Sequence, residues 1–477
     1  MSWHANPWFG AMAALVTGGL FAVSLDVGPV GPLALLAPVP LLIYALSAPR
    51  AWSVALAAAV ARVVSLGGVV YVYDELPLVA LLAFIAMFAL LYAAIVLTTR
   101  WLARTAPAGI AVFSYPLLLV SAEFLFGLIS PHGSFGAMGY SLVDLVPLLQ
   151  IASLGGVAAL TFCAALVPMT VAVALTRPRI WRVAAIYGAV PILLVLAFGA
   201  VRLAQPYESR ARVALVGIDA YEARAYRGEA QGIETAQAFA AQLRQLAPAR
   251  ADYIVLPEKQ LGGARRAEAE TVLLAAAHAQ AASTVVAGFD EVLPDGSRVN
   301  SAQVLVPGQG VQRYLKRRMI PGLELGYTAG AGPMVMGTRG VAICKDLDFP
   351  NMIRQYGEQG VQLLLVPAWD FVLDGRLHSR MALVRGVENG FAIARAAAAG
   401  RLTASDRYGR VIAEAITSRA APVILVADLG LRGGGTGYTR CGDLFAWLSV
   451  AGAAILLGLR RRRTRRSPSV ARAELTT

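Results

Sequence analysis

Glu258, Lys316 and Cys344 are residue types that together can attack a carbonyl compound. Each stands at the downstream end of a strand-like stretch: Glu258 after "YIVLP", Lys316 after "VQRYL" and Cys344 after "GVAI". A cysteine is a good nucleophile but is only a few per cent thiolate at neutral pH, so a carboxylate placed nearby can accept its proton. Glu258 is the candidate base. The Lys316 ammonium can stabilise the oxyanion of a tetrahedral intermediate. Such a trio attacks carbonyls, nitriles or esters and passes through a thioester-type acyl-enzyme.

The elements that must hold these residues read as strands at 212–218, 253–258, 283–289, 301–307, 340–344, 361–367 and 422–429. Between them lie alanine-rich stretches at 230–248, 265–282 and 377–390 with amphipathic helical spacing. Alternating strands and helices predict an α/β layered domain. In such a domain the sheet fixes the backbone while the loops at the strand ends stay open, which gives the trio a common address.

That domain is embedded in a chain of membrane composition. Of 477 residues, 57% are hydrophobic and 15% charged, and the mean hydropathy is +0.61. Apolar runs long enough to approach the ~20 residues of a membrane span occur near 9–25, 31–48, 53–72, 77–99, 109–129, 148–175, 181–202 and 443–459. The expected plan is about eight transmembrane α-helices plus one α/β domain. Residues 1–204 form seven spans, 205–435 the catalytic domain, and 436–477 a final span and a basic tail, with "RGGGTG" at 432–437 returning the chain to the membrane. Arg50, Arg100 and Arg104, Arg177, Arg179 and Arg182, and the tail from Arg460 to Arg466 all fall on one side. The opposite loops carry Asp26, Asp74, Glu75 and "SPHG". The positive-inside rule then places both termini in the cytoplasm and the domain outside. The formal charge of +13 reflects this topology and contact with anionic lipid, with no nucleic acid implied. "MSWHANPWFG" lacks a basic leader, so the first run reads as an uncleaved span. Three cysteines cannot build a disulfide framework, and no spacing suggests a metal or other cofactor. Cys163 inside a span reads as packing and Cys441 as inert. His132 and His378 have no partner motif.

The order "LPE", "YLKRRMIPGLE", "ICKDLDF", "PAWDF", "RGVENG", "LTASDRYGR" resembles the nitrilase or carbon-nitrogen hydrolase superfamily, whose members use a Glu-Lys-Cys triad on an αββα sandwich. With the surrounding spans, nearly the whole chain resembles the apolipoprotein N-acyltransferase family of bacteria. The resemblance implies Glu258 as general base, Lys316 as the triad lysine and Cys344 as the acylated nucleophile. It implies supporting or substrate-binding roles for Glu324, Asp346, Trp369, Glu388, which shares a helix with Arg385, and Glu123 in the fifth span. "SPHGSFG", Pro147 and Gln150 resemble the loops flanking the sixth span. The pattern departs where the family shows an aromatic and a glutamate after the nucleophile and this chain has Lys345 and Asp346. It departs again at Pro367, which stands for an asparagine, and at "AAAAG" over 396–400. A lysine beside Cys344 either lowers the thiol pKa or points to solvent.

The implied reaction moves an acyl chain from a membrane phospholipid through a Cys344 thioester to the N-terminal amine of a diacylglyceryl-cysteine lipoprotein. It would run in the bacterial inner membrane, with a monomeric enzyme. The alternative is a membrane-tethered nitrilase-type amidase or acyltransferase that delivers to another amine or to water. A catalytically silent lipid-binding scaffold fits the intact trio poorly, and the spans show no inverted repeat of the transporter kind.

Overall fold

Proline and glycine positions decide how the apolar runs fold. The computed structural model describes residues 5–25, 28, 30–68, 77–218, 229–246, 250–263, 265–278, 284–417 and 421–466. Helix α1 (Pro7–Ser24) starts on Asn6, whose side chain accepts from the Trp8 N–H, with Pro7 at the first helical position. The run 31–48 does not form one span. Pro32, Pro38 and Pro40 divide it into a 3-10 turn and a nine-residue helix α2 (Val39–Ser47), because a proline ring blocks the preceding helical turn. Helix α3 (Ala51–Leu66) is also short, and the end of the expected span 53–72, with Asp74 and Glu75, lies outside the described residues, as does Asp26. Helices α4 (Leu78–Ala103), α5 (Ala108–Ile129), α6 (Ala152–Thr176) and α7 (Trp181–Leu203) follow. Among the described residues six helices are long and apolar enough to cross a membrane, against the eight expected; the sixth opens near the C-terminus as Leu444–Arg466.

The α/β domain is built on two sheets. One runs in the order β13 (Val423–Leu431), β1 (Ser209–Gly217), β2 (Tyr253–Val255), β4 (Thr284–Val292), β5 (Arg298–Leu305), β6 (Gln312–Leu315), with β3 (Leu261–Gly262) paired to β4. The other runs β12 (Val411–Ile416), β11 (Arg401–Ser405), β10 (Ala392–Ala398), β9 (Leu363–Trp369), β8 (Arg339–Val341), β7 (Met334–Met336). β1, β2 and β4 are parallel, as are β8, β9 and β10. Their inner faces meet in a core of Val213, Leu215, Val286, Leu363, Leu365 and Ala394. The outer face of the first sheet is covered by α8 (Glu229–Gln245) and α9 (Arg266–His278) through Phe239, Leu243 and Leu273. The outer face of the second is covered by α10 (Pro350–Glu358) and α11 (Gly375–Asn389) through Ile353, Tyr356 and Ala382. The layers are therefore helix, sheet, sheet, helix.

Helix α11 has a second apolar face. Leu377, Met381, Leu383, Val384 and Val387 enter the same core as Leu148, Leu149 and Leu160 of the membrane bundle. Buried polar groups reinforce this junction: Arg202 of α7 donates to Gln150 Oε1 (2.8 Å) and to the Val387 carbonyl (3.3 Å), while Gln150 Nε2 donates to the Tyr408 carbonyl (2.8 Å). Gln150 is thus a strut between bundle and sandwich. Helix α6 breaks at Gly155 and Gly156, where Gly156 has φ +63°. A Cβ there would meet Tyr438 at 2.6 Å, so only glycine lets the break close against the sandwich.

Candidate active site

Glu258 lies three residues beyond β2, and its backbone N–H donates to the Ala368 carbonyl across the two sheets. The turn fits because residue 288 on β4 is glycine; a Cβ there would strike Glu258 Cα and the Pro257 carbonyl. Lys316 follows β6, with its N–H on the Asn300 carbonyl (2.8 Å). The structure joins the two side chains: Lys316 Nζ donates to Glu258 Oε1 at 2.7 Å and to Glu324 Oε2 at 2.8 Å. Asn300, fully buried on β5, donates to Glu258 Oε1 (2.6 Å) and Glu324 Oε1 (2.7 Å). Lys259 Nζ closes the group on Glu324 Oε1 at 2.7 Å. Two carboxylates and two ammoniums make a neutral, buried quartet.

Burial alone would neutralise the Lys316 ammonium, but Glu258 and Glu324 more than offset it and hold its pKa above the ordinary lysine range. Burial likewise pushes Glu324 up, yet Lys316 and Lys259 prevail and bring it to about 2. Glu258 differs from Glu324 in one respect. Its Oε1 is taken by Lys316 and Asn300, while Oε2 is buried with no hydrogen-bond partner. A buried acceptor left open costs stability, and it is the atom a base needs for an incoming proton.

Cys344 does not end a strand, as its apolar run suggests. β8 stops at Val341, and Cys344 opens a 3-10 turn, Cys344–Asp348, with φ +36°. Backbone of this kind in a non-glycine residue is strained and is held only by its surroundings. Here the surroundings are Asp346 and Trp369. The Asp346 carboxylate, fully buried, accepts from the Ile343, Arg317 and Arg318 N–H groups (3.1, 3.1 and 2.9 Å) and from Tyr314 OH (2.7 Å). It ties the nucleophile turn to the segment after Lys316, and burial raises its pKa to about 6. The Cys344 thiol donates to the Trp369 carbonyl at 3.2 Å, and the Trp369 side chain is buried beside Ala398. Burial pushes the thiol well above its usual range and Glu258 adds to this, against Lys316 and Arg395. The resting sulfur is protonated, so a base must act as the bond forms.

Lys345 takes neither expected role. It is buried, with Nζ 3.1 Å from Asp348 Oδ2 and 3.1 Å from His132 Nδ1 in the loop after α5. The Ser134 N–H and hydroxyl both donate to the Asp348 carbonyl at 2.9 Å. The turn that carries Cys344 is therefore seated on the loop after α5 of the membrane bundle. His378 pairs with Asp374 (3.2 Å), which with Asp370 and Asp348 outweighs burial and lifts its pKa to about 9.

Glu388 and Glu123 belong to other networks. Glu388 Oε1 accepts from the Val157 N–H (2.8 Å), the first donor after the break in α6, and Oε2 pairs with Arg385 Nη1 (2.9 Å). Arg385 Nη2 reaches Tyr140 OH (2.7 Å). Burial, opposed by Arg385, sets the Glu388 carboxyl at about 7. Glu123 accepts from the Met138 N–H (3.0 Å) and from Thr161 Oγ1 (2.7 Å) within the bundle. Cys163 is buried in α6 and Cys441 is exposed, both free. Sequence reasoning missed Asn300, Lys259 and the buried pair of Arg395 with Asp370, joined through both guanidinium nitrogens. The available signal was an asparagine directly before the strand region read at 301–307.

Two family models match the chain: a carbon-nitrogen hydrolase over residues 212–432 and an apolipoprotein N-acyltransferase N-terminal domain over residues 17–170. A curated relative from Geobacter metallireducens, "Apolipoprotein N-acyltransferase", is 28% identical over 502 aligned positions, covering 95% of each chain. The "Hydrolase in pqqF 5'region" of Pseudomonas protegens is 32% identical over 154 positions, 27% of this chain and 54% of that protein. Among solved structures, an amidase from Nesterenkonia sp. is 20% identical with a TM-score of 0.39, covering 46% of this chain and 90% of its own.

Proposed function

We propose that this chain, which belongs to the apolipoprotein N-acyltransferase family, transfers an acyl chain from a membrane phospholipid to the α-amine of a diacylglyceryl-cysteine lipoprotein through Cys344. Cys344 Sγ attacks the ester carbonyl while Glu258 Oε2 takes the thiol proton. The oxyanion meets the third N–H of Lys316, whose other two are held by Glu258 and Glu324. Collapse breaks the ester C–O bond, and the Glu258 proton passes to the departing lysophospholipid oxygen. The lipoprotein amine then attacks the thioester, loses a proton to Glu258, and restores the thiol as that proton returns to sulfur. Glu324, Asn300 and Lys259 position the base and the ammonium; Asp346 positions the turn.

The observation that carries this reading is the seat of the Cys344 turn on the loop after α5 of the membrane helices, through Ser134 and His132. A reaction between two lipids needs the thiol at the bilayer surface, where apolar surroundings keep water from the thioester. The distribution of arginines supports an extracytoplasmic sandwich with cytoplasmic termini, and the domain limits 1–204, 205–435 and 436–477 follow the same plan. The test is to incubate the purified protein with alkyne-tagged phosphatidylethanolamine and look for hydroxylamine-labile label, with Cys344→Ala as control, before adding a diacylglyceryl-cysteine peptide. Label on Cys344 that moves to the peptide amine is the expected result; label lost only to water supports the amidase alternative instead.

A further inference from the structure

A cationic side chain inside the apolar bundle has no assigned work. Arg62 lies one turn before the end of α3, and among the described residues no carboxylate is paired with it. One of its nitrogens donates to Ser65 Oγ at 3.2 Å, and its guanidinium lies 5.7 Å from the Phe88 ring centroid. An ionisable group within a membrane span is costly, and where it faces a cavity it marks a binding or transport site. Arg62 does face one: a cavity of about 80 Å³ between α1, α3, α4 and α5, walled by Phe21, Phe88, Leu119 and Phe126. Tyr92 and Tyr115, whose buried hydroxyls bond each other at 3.3 Å, line the same space. Glu123 borders it too, with its carboxylate bonded to Met138 and Thr161.

A guanidinium and two phenolic hydroxyls above an aromatic and aliphatic wall match one ligand chemistry, a phosphodiester with an alkyl chain below it. Arginine suits it because its planar fork meets phosphate oxygens in pairs. The cavity wall is also bonded to the turn that carries the thiol. Its outer wall is residues Gly133 to Met138, and Ser134 within that wall makes the two bonds to the Asp348 carbonyl.

We propose that this cavity binds the phosphodiester end of a phospholipid, with Arg62, Tyr92 and Tyr115 on the phosphate, and that the bound lipid is the acyl donor, the last point resting on the acyl-transfer reading above. The test titrates fluorescent phosphatidylethanolamine into the full chain carrying Cys344→Ala, so that lipid binds without being consumed. Arg62→Met should weaken binding about tenfold or more, and Arg62→Lys less, because a point charge replaces the fork. Ala122→Phe, which fills the cavity and leaves Arg62 in place, should weaken it as well. A diacylglycerol probe, lacking phosphate, should be indifferent to Arg62→Met, and millimolar inorganic phosphate should not displace the lipid. Unchanged phospholipid binding in both Arg62→Met and Ala122→Phe overturns the site, and displacement by inorganic phosphate overturns the lipid as its ligand. With Cys344 restored, binding that needs Arg62 without acyl transfer would leave the site standing and refute the acyl-transfer reading. Transfer with an unaltered donor KM in Arg62→Met would do the reverse.

Discussion

Replacing Lys316 by methionine separates two jobs that the proposed reaction and the ion pairs give one ammonium. The quartet of Glu258, Glu324, Lys316 and Lys259 is neutral and buried, and Lys316 is fully enclosed with both carboxylates on it. Lys316→Met leaves two buried carboxylates against the half-buried Lys259 alone, a net charge of −1. Breaking a buried ion pair from one side costs about 3–5 kcal/mol, or a fall in melting temperature of roughly 10 °C for a domain of this size. The oxyanion also loses its donor, which should slow acylation by about 10² or more. Lys316→Met/Glu324→Gln restores neutrality, since only Glu258 and Lys259 remain charged. Its melting temperature should return most of the way. Its single-turnover labelling of Cys344 by alkyne-tagged phospholipid should stay as slow as that of Lys316→Met. Recovery of labelling together with melting temperature in the double variant would refute the reasoning, because Lys316 would then only keep two carboxylates apart.

Glu258→Gln keeps an acceptor for Asn300 and Lys316 but turns the open Oε2 into a donor, so Cys344 labelling should slow by about 10²–10⁴. Glu388 binds its proton more tightly folded, with the pKa near 7 against 4.5 for the ordinary carboxyl. Its contribution to stability should therefore fall as pH rises from about 4.5 to about 7 and stay level above, and Glu388→Gln should flatten that part of a melting-temperature profile. Lys345→Met strands the buried Asp348 carboxylate and should lower the melting temperature, while Lys345→Met/Asp348→Asn should recover most of the loss; equal melting of the single variant and the parent would remove Lys345 from the seat.

The layered scaffold was legible because each strand region recurs in the structure to within a few residues, and Glu258 and Lys316 were legible as neighbours because they follow strands of one sheet, β2 and β6, and their side chains meet. The turn at Cys344 was hidden, since alanine and isoleucine at 342 and 343 read as more strand and cysteine carries no preference for positive φ. The short helices were hidden by averaging: the run 31–48 is apolar enough to span, while three prolines inside it forbid one continuous helix. Averaging also conceals Arg62 within the run 53–72. Asn300 was hidden differently, because a strand margin normally tolerates a polar residue, and its amide meets Glu324 only through the return of β6 beside β5 and Glu258 only through the pairing of β5 with β4 and of β4 with β2. Tertiary pairing of this kind has no local signature.

The departures after the nucleophile gain a physical meaning from their neighbours. Asp346 is turned inward, satisfied four times over by Tyr314 and three backbone N–H groups, so its work is to hold a strained turn in place. Lys345 is turned the other way, onto His132 and Asp348. One residue therefore anchors the nucleophile to the sandwich and the next anchors it to the membrane bundle. A turn with positive φ at its first residue relaxes unless it is fixed on both sides. With both anchors made, the loop at 130–138 is bonded through Ser134 and His132 to the turn that carries Cys344, and the bundle is part of what sets the geometry of the thiol.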